Sequence, residues 1–257
     1  MGLNSVRRQK VILELLRKNS QITVSELARD FNVSEVTIRR DMNSLAKTGK
    51  VLRTYGGVAS NEKVAYEFSF REKLNKNIKD KEKIGNLAAS LVKDGEVILM
   101  DTGTTTLQVA RSLSSSSKKN ITIITNSLSI VSALGGNQEI KVILLGGELQ
   151  PGGFYLFGPT TEKELSNIYV DKCFIGTDGI DLKKGFFTTD FKLAHLAELM
   201  MKAAKQVIVV ADHTKFNRKS LVLFGKLKEV ELIVTDKGID KKSLMKLEKR
   251  ELEVLTI

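Results

Sequence analysis

The chain has 257 residues, 42% hydrophobic and 28% charged, with 41 Lys and Arg against 30 Asp and Glu for a formal net charge of +11. That is length for a small domain plus one of ordinary size with a packed core; the single Cys173 excludes an intrachain disulfide, and with only His195 and His213 beside it a structural zinc site has no ligand set. No run approaches the roughly 18 apolar residues of a membrane span, and no apolar signal segment follows the basic N-terminus, so the expectation is a cytoplasmic protein without membrane association, metal or cofactor.

Residues 5–18 carry Val11, Ile12, Leu15 and Leu16 at helical spacing. Residues 24–31 predict a second helix, in which small Ala28 permits a close crossing, and Asn32-Val33 a turn. Ser34 then caps a third helix whose Ile38, Met42 and Leu45 face the core. This is a helix-turn-helix with two arginines on the open face of its second member. Gly49 reads as the residue ending that helix, and residues 51–59 as a two-stranded ribbon, a wing beside the recognition helix. The candidate DNA contacts are Ser34, Glu35, Thr37, Arg39, Arg40 and Asn43 on the helix and Arg53 on the wing. Lys50 and Tyr55 are secondary, Tyr55 being equally a packing residue. Residues 1–60 hold 11 Lys/Arg against 5 Asp/Glu, the remaining 197 hold 30 against 25, and the basic excess thus concentrates where phosphates would be met.

Residues 61–82, charged and polar with isolated aromatics at Tyr66, Phe68 and Phe70, read as a connection between a domain at 1–60 and one at 83–257. In the larger domain, apolar runs at 97–100, 121–124, 142–145, 207–210 and 232–234 alternate with helical patterns near 80–93, 105–113, 127–135, 160–168, 191–205 and 240–249. The fold class is therefore α/β, an open, mostly parallel sheet covered by helices, with ligands expected at the carboxyl ends of the strands. Polar clusters fall there. Asp101 and Gly103 precede Thr104, Thr105 and Thr106, whose N–H groups and hydroxyls suit an anion at a helix N-terminus. Thr125-Asn126-Ser127 and Gly146-Gly147 follow two further strands; alone these read as a cap and a turn, and their shared position adds weight. Asp178, with Asp181, offers carboxylates for sugar hydroxyls, and Lys215 a positive charge. Cys173, in an apolar run, reads as a buried thiol.

Arg8, Ile12 and Leu16, then Ser34 and Thr37-Ile38-Arg39-Arg40-Asp41-Met42, match in identity and spacing the N-terminal signature of the DeoR family of bacterial sugar-metabolism regulators. The wing Arg53-Thr54-Tyr55-Gly56-Gly57 is similar to that family's basic residue, aromatic and paired glycines. The Asp-x-Gly-Thr-Thr-Thr loop, Thr-Asn-Ser, Gly-Gly and Asp212-x-Thr-Lys-Phe resemble its C-terminal sensor domain. The resemblance implies a sensor fold similar to sugar-phosphate isomerases, and a repressor of a sugar-utilisation operon that leaves its operator when a phosphorylated sugar binds. Partners would be double-stranded operator DNA, the sugar phosphate and, from the need to span two half-sites, further copies in a homodimer or homotetramer. The alternative is a sugar-phosphate isomerase with an accessory DNA-binding domain and Asp178 or Asp181 as base. Leu193 and Ala197 stand where the family pattern often has Glu and Lys, which weighs against catalysis.

Overall fold

In the computed structural model the described residues are 4–18, 21–48, 51–54, 56–60, 70, 73–150 and 154–257. Gly49, Lys50, Tyr55, Tyr66, Phe68 and the side chain of Arg53 lie outside them. The chain divides into two compact units, the second starting at Lys73.

The first unit joins helices α1 (Ser5–Lys18), α2 (Val24–Phe31) and α3 (Glu35–Lys47) to strands β1 (Gln21–Thr23), β2 (Val51–Thr54) and β3 (Gly57–Ser60), antiparallel in the order β1-β3-β2. Local chemistry sets each boundary. Thr23 and Glu26 form a reciprocal capping box at α2, and Asn32 ends that helix at φ 50°, a left-handed conformation asparagine tolerates. Ser34 accepts from the Thr37 N–H and starts α3 two residues later. Ile12, Leu16, Leu27, Ile38, Met42 and Leu45 meet Val51 and Val58 in one core, so helices and ribbon stabilise each other.

The second unit is built on seven parallel strands in the order β15-β14-β12-β9-β4-β5-β6. These are β4 (Val97–Met100), β5 (Ile121–Thr125), β6 (Ile140–Leu144), β9 (Val170–Gly176), β12 (Ala204–Val210), β14 (Leu232–Thr235) and β15 (Glu253–Thr256). Helices α4 (Ile78–Ser90), α5 (Thr104–Ser114), α6 (Leu128–Leu134), α7 (Pro159–Ser166), α8 (Phe191–Lys202) and α9 (Lys241–Glu248) alternate with them. Two small antiparallel additions complete it: a pair of β7 (Glu148–Leu149) and β8 (Leu156–Phe157), and a trio of β10 (Gly179–Asp181), β11 (Gly185–Thr188) and β13 (Val222–Gly225). Leu99, Cys173, Phe186, Met200, Val209 and Ile233 belong to its core, and burial raises the Cys173 thiol well above the ordinary thiol range.

Several boundaries depart from the expectations. The helix expected over 191–205 ends at Lys202, because Ala204 already pairs with Val170 in the sheet. β6 begins two residues before the expected 142–145 run. Residues 73–82, read as the tail of the connection, hold the first turn of α4 and lie in the second unit. β9, which the expected strand runs do not include, pairs with β4 on one side and β12 on the other.

This topology has a consequence for ligands. Strands β4, β5 and β6 run in sequence order away from one side of the β4/β9 pair, and β9, β12, β14 and β15 away from the other. The order reverses between β4 and β9, and at such a switch point the loops leave in opposite directions and open a crevice at the strand carboxyl ends.

Helices α4 and α5 cross closely at Gly85, where an added Cβ would lie 2.7 Å from the Gln108 carbonyl carbon and 2.8 Å from its Cβ. Alanine improves helix propensity by about 1 kcal/mol, but overpacking against fixed backbone costs typically 1–3 kcal/mol or more. Gly85→Ala is therefore expected to lower the stability of this unit in denaturant titration, although most exposed helix positions would gain from the same change.

Candidate functional site

On α3, Ile38, Asp41, Met42 and Leu45 are buried, while Glu35, Val36, Arg39, Arg40 and Asn43 are exposed. Ser34 and Thr37 are tied together, their hydroxyls 2.9 Å apart. Arg39 donates to Glu35 across one helical turn at 3.0 Å, both side chains about half exposed, so the guanidinium is drawn along the helix towards its N-terminus. Beneath this face Asp41 accepts from Arg8, Ser5 and Gln9 of α1. Burial alone would raise its carboxyl, but these donors and the Arg8 charge hold it below the usual range.

At the β4/β9 switch point the second unit gathers charge. Asp101, directly after β4, accepts from the N–H of Gly103 at 2.9 Å and from that of Gly176, the last residue of β9, at 2.8 Å. Its carboxyl is raised, burial outweighing the Thr106 hydroxyl and these two amides. α5 begins at Thr104 after Gly103, which supplies no side-chain cap, and the Thr104 hydroxyl accepts from Lys81 of α4 at 3.1 Å. Lys81 is 3% exposed, and its ammonium also donates to the Lys73 carbonyl. Burial brings it down to about 8, against the pull of Asp212 and with further lowering by Lys215, Lys73 and Lys76.

Asp178, two residues past β9, accepts from Lys73 at 2.6 Å and from the hydroxyls of Thr188 and Thr189 at 3.3 Å each, with the Lys215 ammonium 3.9 Å away. Burial would raise Asp178, and the two lysines with Thr188 bring it below the ordinary value. Lys215 is lowered by burial, against the opposing charges of Asp178 and Asp212. Asp212, two residues past β12, is buried and accepts from the Thr214 N–H at 3.0 Å and from Asn77 at 3.1 Å. Three lysines thus converge with three carboxylates beside an uncapped helix start.

Asp101, Gly103, Thr104, Thr105, Thr106, Asp178 and Lys215 stand in the turns and the helix start that follow β4, β9 and β12, and the threonine trio is buried. The other two clusters are engaged by neighbouring segments, with Gly146 half-buried and Gly147 exposed. Thr125, Asn126 and Ser127 are 0%, 0% and 2% exposed: Thr125 donates to the Met100 carbonyl, Asn126 to that of Leu156, and Ser127 caps α6. Gly146 donates to Glu164 and accepts from Thr161, both on α7. Gly147, at φ +140°, leaves only 2.3 Å between an added Cβ and the Thr161 hydroxyl, so the glycines serve close packing of loop on helix.

Lys73, Lys81 and Asp212 were not read as site residues. For Lys81 a signal existed: Lys81, Ile84, Gly85 and Ala88 share one buried helical stripe, and a lysine there must find partners inside. Asp80, His213 and Asp236 also place one ligand atom each within 4.8 Å of one another, which the histidine count gave no hint of. Asp236 already accepts from the His213 N–H and Nδ1 at 2.7 Å and from the Gly238 N–H at 2.8 Å, an arrangement that fixes the turn. Among the described residues no helix is long and apolar enough to cross a membrane.

A DeoR-like helix-turn-helix profile matches residues 8–64, and the profile of the DeoR C-terminal sensor domain matches residues 76–237. The chain belongs to the DeoR family. This DeoR-family protein is 32% identical over 254 residues to a putative aga operon transcriptional repressor of Escherichia coli O157:H7, covering 97% of this chain and 93% of that one. It is 33% identical over 233 residues to the transcriptional repressor GlcR of Bacillus subtilis, covering 90% and 88%. Among solved structures it is similar to ribose 5-phosphate isomerase A of Methanocaldococcus jannaschii, with 21% identity, a TM-score of 0.42 and 55% of each chain covered. It is likewise similar to the sorbitol operon regulator SorC of Klebsiella pneumoniae, with 11% identity, a TM-score of 0.43 and coverage of 95% and 99%. The two matched profiles and the related repressors make this DeoR-family chain a DNA-binding transcriptional regulator with a helix-turn-helix domain and a sensor domain.

Proposed function

We propose that the protein represses a sugar-utilisation operon and leaves its operator when a phosphorylated sugar occupies the β4/β9 crevice. The observation that carries this reading is Lys81 on the Thr104 hydroxyl at the start of α5, with Lys73 and Lys215 at Asp178 close enough for their charges to act on it. A dianionic phosphate is attracted both by the ammonium groups and by the unpaired N–H groups of the helix start, and in a poorly solvated crevice each attraction is strengthened. Asp101, Gly103, Thr104, Thr105 and Thr106 form the phosphate end, while Asp178, with Thr188 and Thr189 beside it, accepts sugar hydroxyls next to Lys73 and Lys215. Ser34, Glu35, Thr37, Arg39, Arg40 and Asn43, with Arg53 on the wing, meet the DNA, and a homodimer or homotetramer spans two half-sites. The site is read as binding and not turning over: Lys73, Lys215 and Thr188 hold Asp178 below the ordinary carboxylate value, which weakens it as a base, and α8 carries Leu193 and Ala197, with no Glu-Lys pair at those positions.

Release requires that the sugar phosphate prefer the DNA-incompetent state, and by linkage DNA must weaken sugar binding by the same factor. Thermal unfolding across a panel of sugar phosphates and their parent sugars tests the ligand class. One ester is expected to raise the unfolding temperature of the second unit where its parent sugar does not, and to shift DNA from the full-length protein. Equal affinity for that ester with and without bound DNA would refute the regulatory link.

A further inference from the structure

The exposed face of α3 carries one residue whose chemistry its neighbours do not share. Val36 is 60% exposed, on a helix whose buried stripe is Ile38, Met42 and Leu45. At 3.6 residues per turn it lies about 200° round from Ile38, on the outward side, with Arg40 one turn and Asn43 two turns beyond it. Arg39 is drawn towards Glu35 on the flank, so the centre of the face near its N-terminal end is apolar and its margins are charged or polar.

Valine is a weaker helix former than alanine, and here it gains little burial within the chain. An apolar group at the second position of α3 therefore acts on what approaches the helix. In a major groove lined by phosphates and hydrogen-bonding base edges, one apolar group is on offer, the C5 methyl of thymine. The first residues of a recognition helix are those that reach base edges.

We propose that Val36 reads a thymine through its methyl group and is a specificity-determining residue of the DNA interface, an inference that rests on the assignment of α3 to the major groove. Arg40 and Asn43, on the same side, are placed to engage the neighbouring phosphates or base edges and hold the register in which the methyl is met.

The test uses the full chain. Selection from a random duplex library supplies the binding site, and each thymine in it is then replaced singly by deoxyuridine, which removes the methyl and leaves the hydrogen-bonding edge unchanged. Wild-type affinity is expected to fall about fourfold at one thymine in each half-site, the effect of losing one buried methyl-sized contact. Val36→Ala, at an exposed position that leaves the core untouched, is expected to bind the thymine site about as weakly as the wild type binds the deoxyuridine site, with little further loss on removing the methyl. A wild type indifferent to deoxyuridine at every thymine would overturn the inference, as would a Val36→Ala variant that keeps the full methyl dependence. Failure of the library to enrich any sequence would instead overturn the DNA-reading assignment beneath it, which separates the two failures.

Discussion

Asp41→Ala is expected to destabilise the N-terminal unit by about 3–5 kcal/mol, enough to unfold many domains of this size. Asp41 is 3% exposed and Arg8 7%, and the Arg8 Nε donates to one carboxylate oxygen at 2.5 Å while Ser5, at 2.5 Å, and Gln9, at 3.3 Å, donate to the other. Removing the carboxylate takes the opposite charge from a buried guanidinium between α1 and α3, and that loss outweighs the modest net value of an intact buried pair. The double replacement Arg8→Met with Asp41→Leu should recover much of the loss, because neither partner is then left charged. Asp41→Asn keeps the shape and should fall between. The pH dependence follows from the lowered carboxyl. A group more acidic folded than unfolded contributes fully above its unfolded value near 4, and the contribution is lost as pH falls through the folded value. Acid titration of the N-terminal unit should show this loss in wild type and not in Asp41→Asn. A denaturation midpoint unchanged in Asp41→Ala would mean that the pair does not hold α1 to α3.

The recognition helix was legible because its signals are local: a cap at Ser34, and Ile38, Met42 and Leu45 at one period, all within a dozen residues. The same holds for Gly103 before Thr104, a strand-to-helix turn written in consecutive positions. β9 was not legible, since its N-terminal half reads Val170-Asp171-Lys172, and only the fold shows that Lys172 is buried against Glu96 and that the strand lies inside the sheet. The clusters Thr125-Asn126-Ser127 and Gly146-Gly147 stand at strand ends as expected, but a sequence does not say whether a polar group turns to solvent or to a neighbouring carbonyl, and Asn126 turns to that of Leu156. Lys73 meets Asp178 across 105 residues, a pairing decided by topology alone. The Asp101 loop and Lys215 could be proposed from local sequence, whereas Lys81 meets Thr104 only through the packing of α4 on α5 and Lys73 meets Asp178 only through the topology.

If the proposed phosphate site is correct, Lys81→Met is expected to weaken sugar-phosphate binding by about 2–5 kcal/mol, thirtyfold or more, since that proposal places the buried ammonium beneath the anion. It should do so without lowering the unfolding temperature of the free protein. With its ammonium brought to about 8 by burial, Lys81 is held charged at neutral pH against its environment, which methionine avoids and which offsets the bonds to the Lys73 carbonyl and the Thr104 hydroxyl that it gives up. Such opposed effects on affinity and stability are what separate a ligand-binding lysine from one that merely fills space. The pH profile supplies a second readout with a definite sign. A bound dianion raises the Lys81 value, so affinity is full below about 8 and declines above it, by at most tenfold per pH unit, until the bound-state value is passed. The phosphate itself loses its second proton near 6 and contributes nothing to that slope. Lys215, also lowered by burial, adds a decline of its own, which Lys81→Met retains and which can therefore be subtracted. Calorimetry between pH 7 and 9 in buffers of different ionisation enthalpy should show proton uptake on binding, smaller in the variant. Equal proton uptake in wild type and Lys81→Met would place the titrating cation elsewhere in the crevice.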